Sequence, residues 1–404
     1  MGFIVSFSDL DILEWGLIGA LGLLFVAQLY WYSRYMAAVA RRIRKDKKLP
    51  ADSQLLPADA PGVSVVLCAH NERENLSNYL QALLTQDYPT YEVIVVDDGS
   101  EDDTRAIIER YMVQDPRLHM TFVPYGARVL STKKLALTLA AKAAKYDYLL
   151  LTDADCVPES NRWIAQMVQP LINNGKEISL GFGAYFEEKG HINRLVRFDT
   201  LFNGLHYLGA ALCGHPYMGV GRNLAYRKAL FFESGGFTHM MNNKAGDDDL
   251  FVNHVATRQN TAAVVSTDSY TWSLSKKTMK EWWQQKRRHL SVSPEYRTAT
   301  KIRLALEPLT RGLFYAAVIA TVVFALMNYE LKIMNLEFGM AELLLSVAVG
   351  LFLLRWIIQT AILNVSARRM GLKRFRMTSI LWFDIVLPLV SLWMLVVPKR
   401  QTKW

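Results

Sequence analysis

The sequence is poor in cysteine: 3 in 404 residues, an odd number as well as a small one. A disulfide-stapled scaffold is thereby excluded. Cys68, Cys156 and Cys213 are expected as free thiols in packing roles. Histidine is sparse too, and His70, His206 and His215 lack metal-ligand spacing. Internal repeats and low-complexity tracts are absent, which argues against a solenoid or a linker-type chain. Charge is thin, at 21% of residues against 51% hydrophobic, so the chain is too apolar to be disordered. A mean hydropathy of +0.09 beside that charge does not describe one uniform globule. It implies a charged soluble part attached to strongly apolar spans. The net charge of +9 raises two partners, nucleic acid and a membrane surface, and its distribution decides between them.

Residues 12–32 form an apolar run, interrupted by Glu14 and Gln28 and flanked by Trp15, Tyr30, Trp31 and Tyr32. Its length suits a membrane-spanning helix with interfacial aromatics. It has no basic stretch before it and no small-residue cleavage site after it, which argues against a cleaved signal peptide. Arg41, Arg42, Arg44, Lys45, Lys47 and Lys48 follow and predict a cytoplasmic flank with the amino terminus outside. Three further apolar runs lie at about 313–327, 343–363 and 380–397, with Arg368, Arg369, Lys373, Arg374 and Arg376 before the last. The positive charge thus gathers beside spans, and membrane is preferred over nucleic acid as the partner. Four plain spans would put the carboxyl terminus outside, whereas Lys399, Arg400 and Lys403 favour the inside. Asp384 and Pro388 interrupt the last run, which suggests a re-entrant or tilted segment; Asp384 itself has no assignable role.

Between these spans the texture is α/β. Short apolar runs at 63–68, 91–96, 118–123 and 148–152 read as strands, and 75–85, 102–112 and 133–144 as helices. The alternation predicts a parallel sheet covered on both faces. Ligands of such sheets bind at the strands' carboxyl ends, where His70-Asn71-Glu72, Asp97-Asp98 and Asp153-Ala154-Asp155 fall. Two carboxylates two residues apart after a buried strand suit a hard, oxygen-loving cation, although a polar turn fits the same pair. A carboxylate such as Asp97 or Asp98 can accept from a base N–H or a ribose hydroxyl, or can cap the next helix. Asp247-Asp248-Asp249 places three acids side by side, so a neighbour-raised pKa would suit a general base. The basic, aromatic stretch from about residue 276, with Trp282, Trp283, Gln285, Lys286, Arg287 and Arg288, reads as an amphipathic helix on a membrane surface. It can also bind diphosphate oxygens.

In order and spacing these motifs, with Gln86-Asp87-Tyr88-Pro89, Gly219-Val220-Gly221-Arg222-Asn223 and Gly235-Gly236-Phe237, resemble the family 2 inverting glycosyltransferases. The similarity is to their membrane-embedded branch, which includes cellulose, chitin, hyaluronan and poly-N-acetylglucosamine synthases and ceramide glucosyltransferases. It covers about residues 60–295 by motif. The resemblance implies a nucleotide-sugar glycosyltransferase A-type, Rossmann-like α/β domain. It implies that Ala69, Asn71, Glu72, Asp97 and Asp98 surround the nucleotide and that Lys134 lies near its base or phosphates. Asp153 and Asp155 would serve the diphosphate and a Mg²⁺ or Mn²⁺ ion. Asp248 would be the catalytic base, with Asp247 as the alternative register. Gln285 and Arg288 would match the first and fourth positions of a Q-x-x-R-W motif. Three departures stand out: His289 in place of the tryptophan, Lys133 in place of a common glycine before Lys134, and Asp247 where Glu is more usual.

The expected organisation is a span in residues 1–35, a basic flank and linker in 36–60, and a cytoplasmic catalytic domain in 61–272. An interface helix with Q-x-x-R follows in 273–308, and a membrane region in 309–404. The expected activity is inverting transfer from a nucleoside diphosphate sugar, UDP-linked by preference, to a growing polysaccharide at the cytoplasmic face of the cell membrane. One alternative is a single transfer to a lipid, favoured by His289 and the few spans. Another is an inactive membrane partner of a secretion complex, which the intact acidic motifs oppose. A translocating channel needs more helices than these, unless further copies of the chain or a secretion partner supply them.

Overall fold

The computed structural model describes residues 12–50, 55–124, 132–241, 245–331 and 338–396. The basic tail at Lys399, Arg400 and Lys403 lies outside the described residues. The chain opens with α1 (Ile12–Trp31), a π-helical turn at Tyr32–Met36, and α2 (Ala37–Asp46). The α/β half then runs β1 (Val63–Ala69), α3 (Arg73–Leu84), β2 (Tyr91–Asp97), α4 (Thr104–Gln114), β3 (Leu118–Phe122), α5 (Thr132–Ala143) and β4 (Tyr148–Leu151). These are the strands and helices expected from the apolar periodicity. Then follow β5 (Cys156–Pro158), α6 (Trp163–Asn173), β6 (Ile178–Leu180), β7 (Gly183–Tyr185), α7 (His191–Leu212), β8 (Leu224–Arg227), α8 (Lys228–Glu233), α9 (Asp249–Val255), β9 (Thr261–Ala263) and β10 (Thr271–Ser273).

Seven strands form one sheet in the order β3-β2-β1-β4-β8-β6-β9, and β5-β10-β7 form a second, smaller one. β1, β2, β3 and β4 are parallel, as expected, whereas β8 runs antiparallel to both its neighbours. The main sheet is therefore mixed. Burial follows the period of two. Val66, Ile94, Val96, Leu149 and Leu151 pack with Ala136, Leu137 and Ala140 of α5. Val63, Val65, Leu67, Val93, Val95 and Leu150 pack with α3 and with Trp163, Ile164 and Met167 of α6. Both faces are covered, which is why these strands read as nearly unbroken apolar runs.

The chain continues through α10 (Met279–Leu290), α11 (Thr298–Leu331), α12 (Phe338–Arg369) and α13 (Met377–Val396). Among the described residues, four helical stretches are long and apolar enough to cross a membrane: Ile12–Asp46, Thr298–Met327, Ala341–Arg369 and Met377–Met394. The short apolar run at 313–327 is thus the second half of a longer helix. The last run forms one helix, α13, that continues through Pro388. The cluster that covers one face of the sheet extends through α7 to Tyr32, Tyr35 and Met36 and on to Phe383 and Leu387. The α/β half and the apolar helices therefore share one core.

Asp384 joins all four helices. Its Oδ1 accepts from Arg311 Nη1 (2.8 Å) and Gln359 Nε2 (2.6 Å). Its Oδ2 accepts from Tyr315 Oη (2.6 Å) and Arg355 Nη1 (3.0 Å). Arg355 also donates to Gln28 Oε1 (3.0 Å) and Tyr32 Oη (2.9 Å), and Arg311 pairs with Glu307 at 2.9 Å. The residues that break the apolar runs of α1 and α13, Gln28 and Asp384, are thereby satisfied by one another's partners. Buried charges in such a place persist only when paired and hydrogen-bonded.

Candidate active site

The carboxyl ends of β1 and β2 open into two loops that are tied together. Asn71 has φ of +57°, a left-handed conformation that asparagine tolerates well. Its backbone N–H donates to Ser100 Oγ (3.0 Å), and its Oδ1 accepts from the Glu101 N–H (2.8 Å). Glu72 N–H donates to Thr104 Oγ1 at 2.8 Å. Asp97 Oδ1 accepts from the Ser100 N–H at 2.9 Å, so Asp97 shapes the turn. Asp98 N–H donates to the Ala69 carbonyl (2.8 Å), while its buried Oδ1 has no hydrogen-bond partner among the described residues. An unpaired buried acceptor costs about 1–3 kcal/mol.

Next to this rim, Lys133 Nζ lies 3.0 Å from Asp153 Oδ1 and 3.1 Å from Asp247 Oδ2. Lys133 stands deep in the cleft, although 39% of its side chain is open to solvent. Burial works against its ammonium, but Asp153, Asp247 and Asp248 outweigh burial and hold it charged. At Asp153, burial is in turn overcome by Lys133, Arg222 and Arg288, and the carboxyl is held low. At Asp155, burial and the Asp153 charge prevail and raise it. Asp153, Asp155 and Cys156 each bring one donor atom within 4.8 Å of the others. Two carboxylates fit a hard cation. Cys156 does not belong to that set: burial, with Asp155 and Asp153 beside it, raises its thiol, which donates to Asp155 Oδ1 at 3.4 Å.

The three consecutive acids divide the work. Asp247 faces Lys133. Asp248 caps α9 and accepts from Asp249 N–H at Oδ1 (2.8 Å) and from Gly221 N–H at Oδ2 (2.6 Å). Burial, then the Asp247 charge, push Asp248 up to about 6 despite Lys133 and the two amides. Asp249 turns inward, where Tyr296 Oη donates to its Oδ2 at 2.9 Å. Burial and then Asp248 raise Asp249 to about 8.

The opposite wall is α10, whose start is fixed by a capping box between Thr278 and Glu281. One side of the helix packs against the protein. Trp282 is buried, Trp283 meets Trp393 of α13 edge-on (6.1 Å between centroids), and Lys286 pairs with Asp199 of α7 at 2.5 Å. Gln285 Nε2 donates to Tyr185 Oη at 3.1 Å. The Arg222 guanidinium lies 4.3 Å from the centre of that Tyr185 ring and donates to Ser273 Oγ (3.0 Å) and the Gly183 carbonyl (3.1 Å). His289 is exposed on the helix surface, and crowding by the protein, then Arg288, Arg222 and Lys286, lower its imidazole to about 4.

One assignment changes. Lys134 is fully buried and donates to the carbonyls of Met240 (2.6 Å) and Ala245 (2.8 Å). Successive helical residues are about 100° apart, so only one of the two lysines can face the cleft. A signal for this was present: Ala136 and Leu137 follow Lys133, not Lys134, by three and four residues. Arg222 was quoted within a motif but given no role, and here it borders both Asp153 and Asp155.

The mixed sheet and the acidic cleft at its carboxyl edge define a glycosyltransferase A-type fold. Residues 64–235 match the model of glycosyl transferase family 2, and the protein carries a glycosyltransferase domain of that family. The chain is 34% identical over 96 residues to the poly-beta-1,6-N-acetyl-D-glucosamine synthase of Staphylococcus epidermidis, covering 24% of this chain and 22% of that one. It is 27% identical over 145 residues to glycosyltransferase AglE of Haloferax volcanii, covering 35% and 46%. The chain thus spans less than half the length of these relatives. Among solved structures, the mannosyltransferase PcManGT from Pyrobaculum calidifontis, in complex with GDP-Man and Mn²⁺, matches with a TM-score of 0.52 at 20% identity. That match covers 89% of this chain and 99% of the other, and supports the fold.

Proposed function

We propose that the protein transfers a sugar, with inversion, from a nucleoside diphosphate sugar to a growing polysaccharide at the cytoplasmic face of a membrane. The observation that carries this reading is the meeting of Asp153 and Asp247 on Lys133, with Asp155, Asp248 and Arg222 around them, at the sheet's carboxyl edge. The nucleoside, uridine by preference, docks over the loops of Asn71, Glu72 and Asp98. The unpaired Asp98 Oδ1 accepts from its base or ribose.

Asp155 and Asp153 are the residues that would hold Mg²⁺ or Mn²⁺, which supplies neutralisation of the diphosphate charge when bound. The similar mannosyltransferase PcManGT is in complex with GDP-Man and Mn²⁺, in keeping with this reading. Lys133, Arg222, Gln285 and Arg288 line the diphosphate side, where donors aimed at developing negative charge favour departure of the leaving group. Asp248 takes the proton of the acceptor hydroxyl as that oxygen attacks the anomeric carbon. Its raised pKa suits an exchange near neutral pH. Asp247 is the alternative base, one residue away and facing the same lysine.

A second reading, a single transfer to a lipid acceptor, is favoured by His289 in place of the motif's tryptophan and by the four candidate spans among the described residues. An inactive partner role is disfavoured by the complete acidic set. The test is incubation of the purified protein with labelled UDP-glucose, UDP-N-acetylglucosamine, UDP-galactose and GDP-mannose, followed by sizing of the product. A polymer ladder is expected. One organic-extractable species would favour the lipid acceptor, and no transfer from any donor would refute the enzymatic reading.

A further inference from the structure

A second charged cluster lies away from the cleft, where the first apolar helix meets the catalytic half. The π-helical turn Tyr32–Met36 carries Arg34, three residues past the end of α1. π-Turns within helices are often found at functional sites. α7 presses its carboxyl end against this turn: a Cβ at Gly209 would stand 2.2 Å from the Tyr35 carbonyl, so only glycine fits. Cys213 Sγ donates to the Arg34 carbonyl at 3.2 Å. The His215 ring lies 6.5 Å from the Tyr35 ring.

Four arginines from separate segments converge there. Arg41 is fixed from α2, its guanidinium donating to the carbonyls of Ser33 (2.6 Å) and Arg34 (3.1 Å). Arg258 lies along the backbone of Gly214, its Cδ 2.9 Å from the place a Cβ would take. Arg303 comes from the first turns of α11. After burial, the groups that act most strongly on His215 are Arg303, Arg34 and Arg258, all opposing its protonation. Arg34 and Arg41 act likewise on Cys213. None of the four arginines takes part in an ion pair among the described residues.

Guanidinium groups without a counter-charge, two of them set against backbone at Ser33–Arg34 and Gly214, suit an anion, and arginine suits phosphate because of its fork geometry. Position selects the kind of phosphate. Trp31 stacks on Tyr35 with ring centres 5.0 Å apart, and Tyr30 meets both edge-on. Such an aromatic group at the end of an apolar helix marks the headgroup level of a bilayer. Arg34 and Arg303 each belong to a candidate span, near its catalytic-domain end. We propose that Arg34, Arg41, Arg258 and Arg303 bind the phosphate of an anionic lipid headgroup and seat the catalytic half on the membrane through it.

The test uses the full chain in vesicles of phosphatidylcholine, with or without a minor fraction of phosphatidylglycerol. Native mass spectrometry reads the lipid retained after extraction, and thermal unfolding reads its effect. The wild type is expected to retain phosphatidylglycerol selectively and to melt higher with it. Each lost basic group at such a surface weakens binding about fivefold, so Arg258→Gln with Arg303→Gln should weaken retention roughly thirtyfold. Arg258→Lys with Arg303→Lys should keep most of it, and Lys280→Gln, on α10, should leave it unchanged. Equal retention by wild type and the glutamine pair would overturn the proposal. So would stabilisation by inorganic phosphate in phosphatidylcholine vesicles equal to that by phosphatidylglycerol. If the glutamine pair does not fold, the wild type alone decides, because equal retention of the two lipids refutes the site.

Discussion

Lys133 stands between Asp153 and Asp247, within 3.1 Å of a carboxylate oxygen of each. It couples the paired carboxylates after β4 to the acids before α9, two segments far apart in the chain. A charge-assisted contact of this kind is worth about 1.5–3 kcal/mol. Lys133→Met is therefore expected to lower transfer roughly 10- to 100-fold while the fold survives. Lys134→Met should do the opposite, lowering the melting temperature because the Met240 and Ala245 carbonyls lose a buried donor. Equal activity losses in two well-folded variants would contradict the division between the lysines.

Asp249 makes stability depend on pH. Its folded pKa of about 8, raised by burial and by Asp248, lies above the unfolded value of about 3.9. Between these values the folded state binds more protons, so stability is greatest at the acid end and falls as pH rises toward 8. Asp248, raised to about 6, adds the same trend below that pH. Asp249→Asn keeps an acceptor for Tyr296 without the buried charge. Its melting temperature should change less than the wild type's between pH 6 and 9, a range chosen as roughly spanning the titration. A parallel decline in both proteins would contradict the assignment.

The Cys156 thiol lies against Asp155 but is held protonated by burial. Cys156→Ser is expected to keep transfer within about threefold and to keep its response to a chelator, because carboxylates are the ligands that suit Mg²⁺ or Mn²⁺. Asp155→Asn should lose both. Loss of metal response in the serine variant would place the thiol among the ligands.

Much of this architecture was legible in the sequence. The strands β1, β2 and β4 are buried on both faces and so read as apolar runs, whereas the edge strand β3 is half open. Other features depend on long-range geometry. β8 pairs antiparallel with β4 from more than 70 residues away, and three-residue strands such as β9 and β10 carry too little periodicity to read. The partners of Asp384 come from positions 311, 315, 355 and 359, and no local pattern joins them. The lysine register missed by one residue, because both neighbours were lysine and only the helix phase separates them.

The Asp384 network leads to a separate expectation. Removing one member leaves buried guanidinium groups uncompensated, which costs about 3–5 kcal/mol. Asp384→Ala should lower the melting temperature and the yield of folded protein, whereas Ser346→Ala, on α12 and outside the network, should not. A melting temperature unchanged by Asp384→Ala would show that the pairs do not hold the helices together.

The most direct test of the account separates donor binding from transfer in Asp248→Asn. Calorimetry should find nucleotide-sugar affinity within about threefold of the wild type, since the diphosphate contacts remain. Turnover should fall by about 10²- to 10⁴-fold, the usual share of a general base, and the acid limb near pH 6 should vanish from the residual rate. Wild-type turnover in Asp248→Asn, with loss instead in Asp247→Asn, would contradict the proposed base and move that role one residue along the chain.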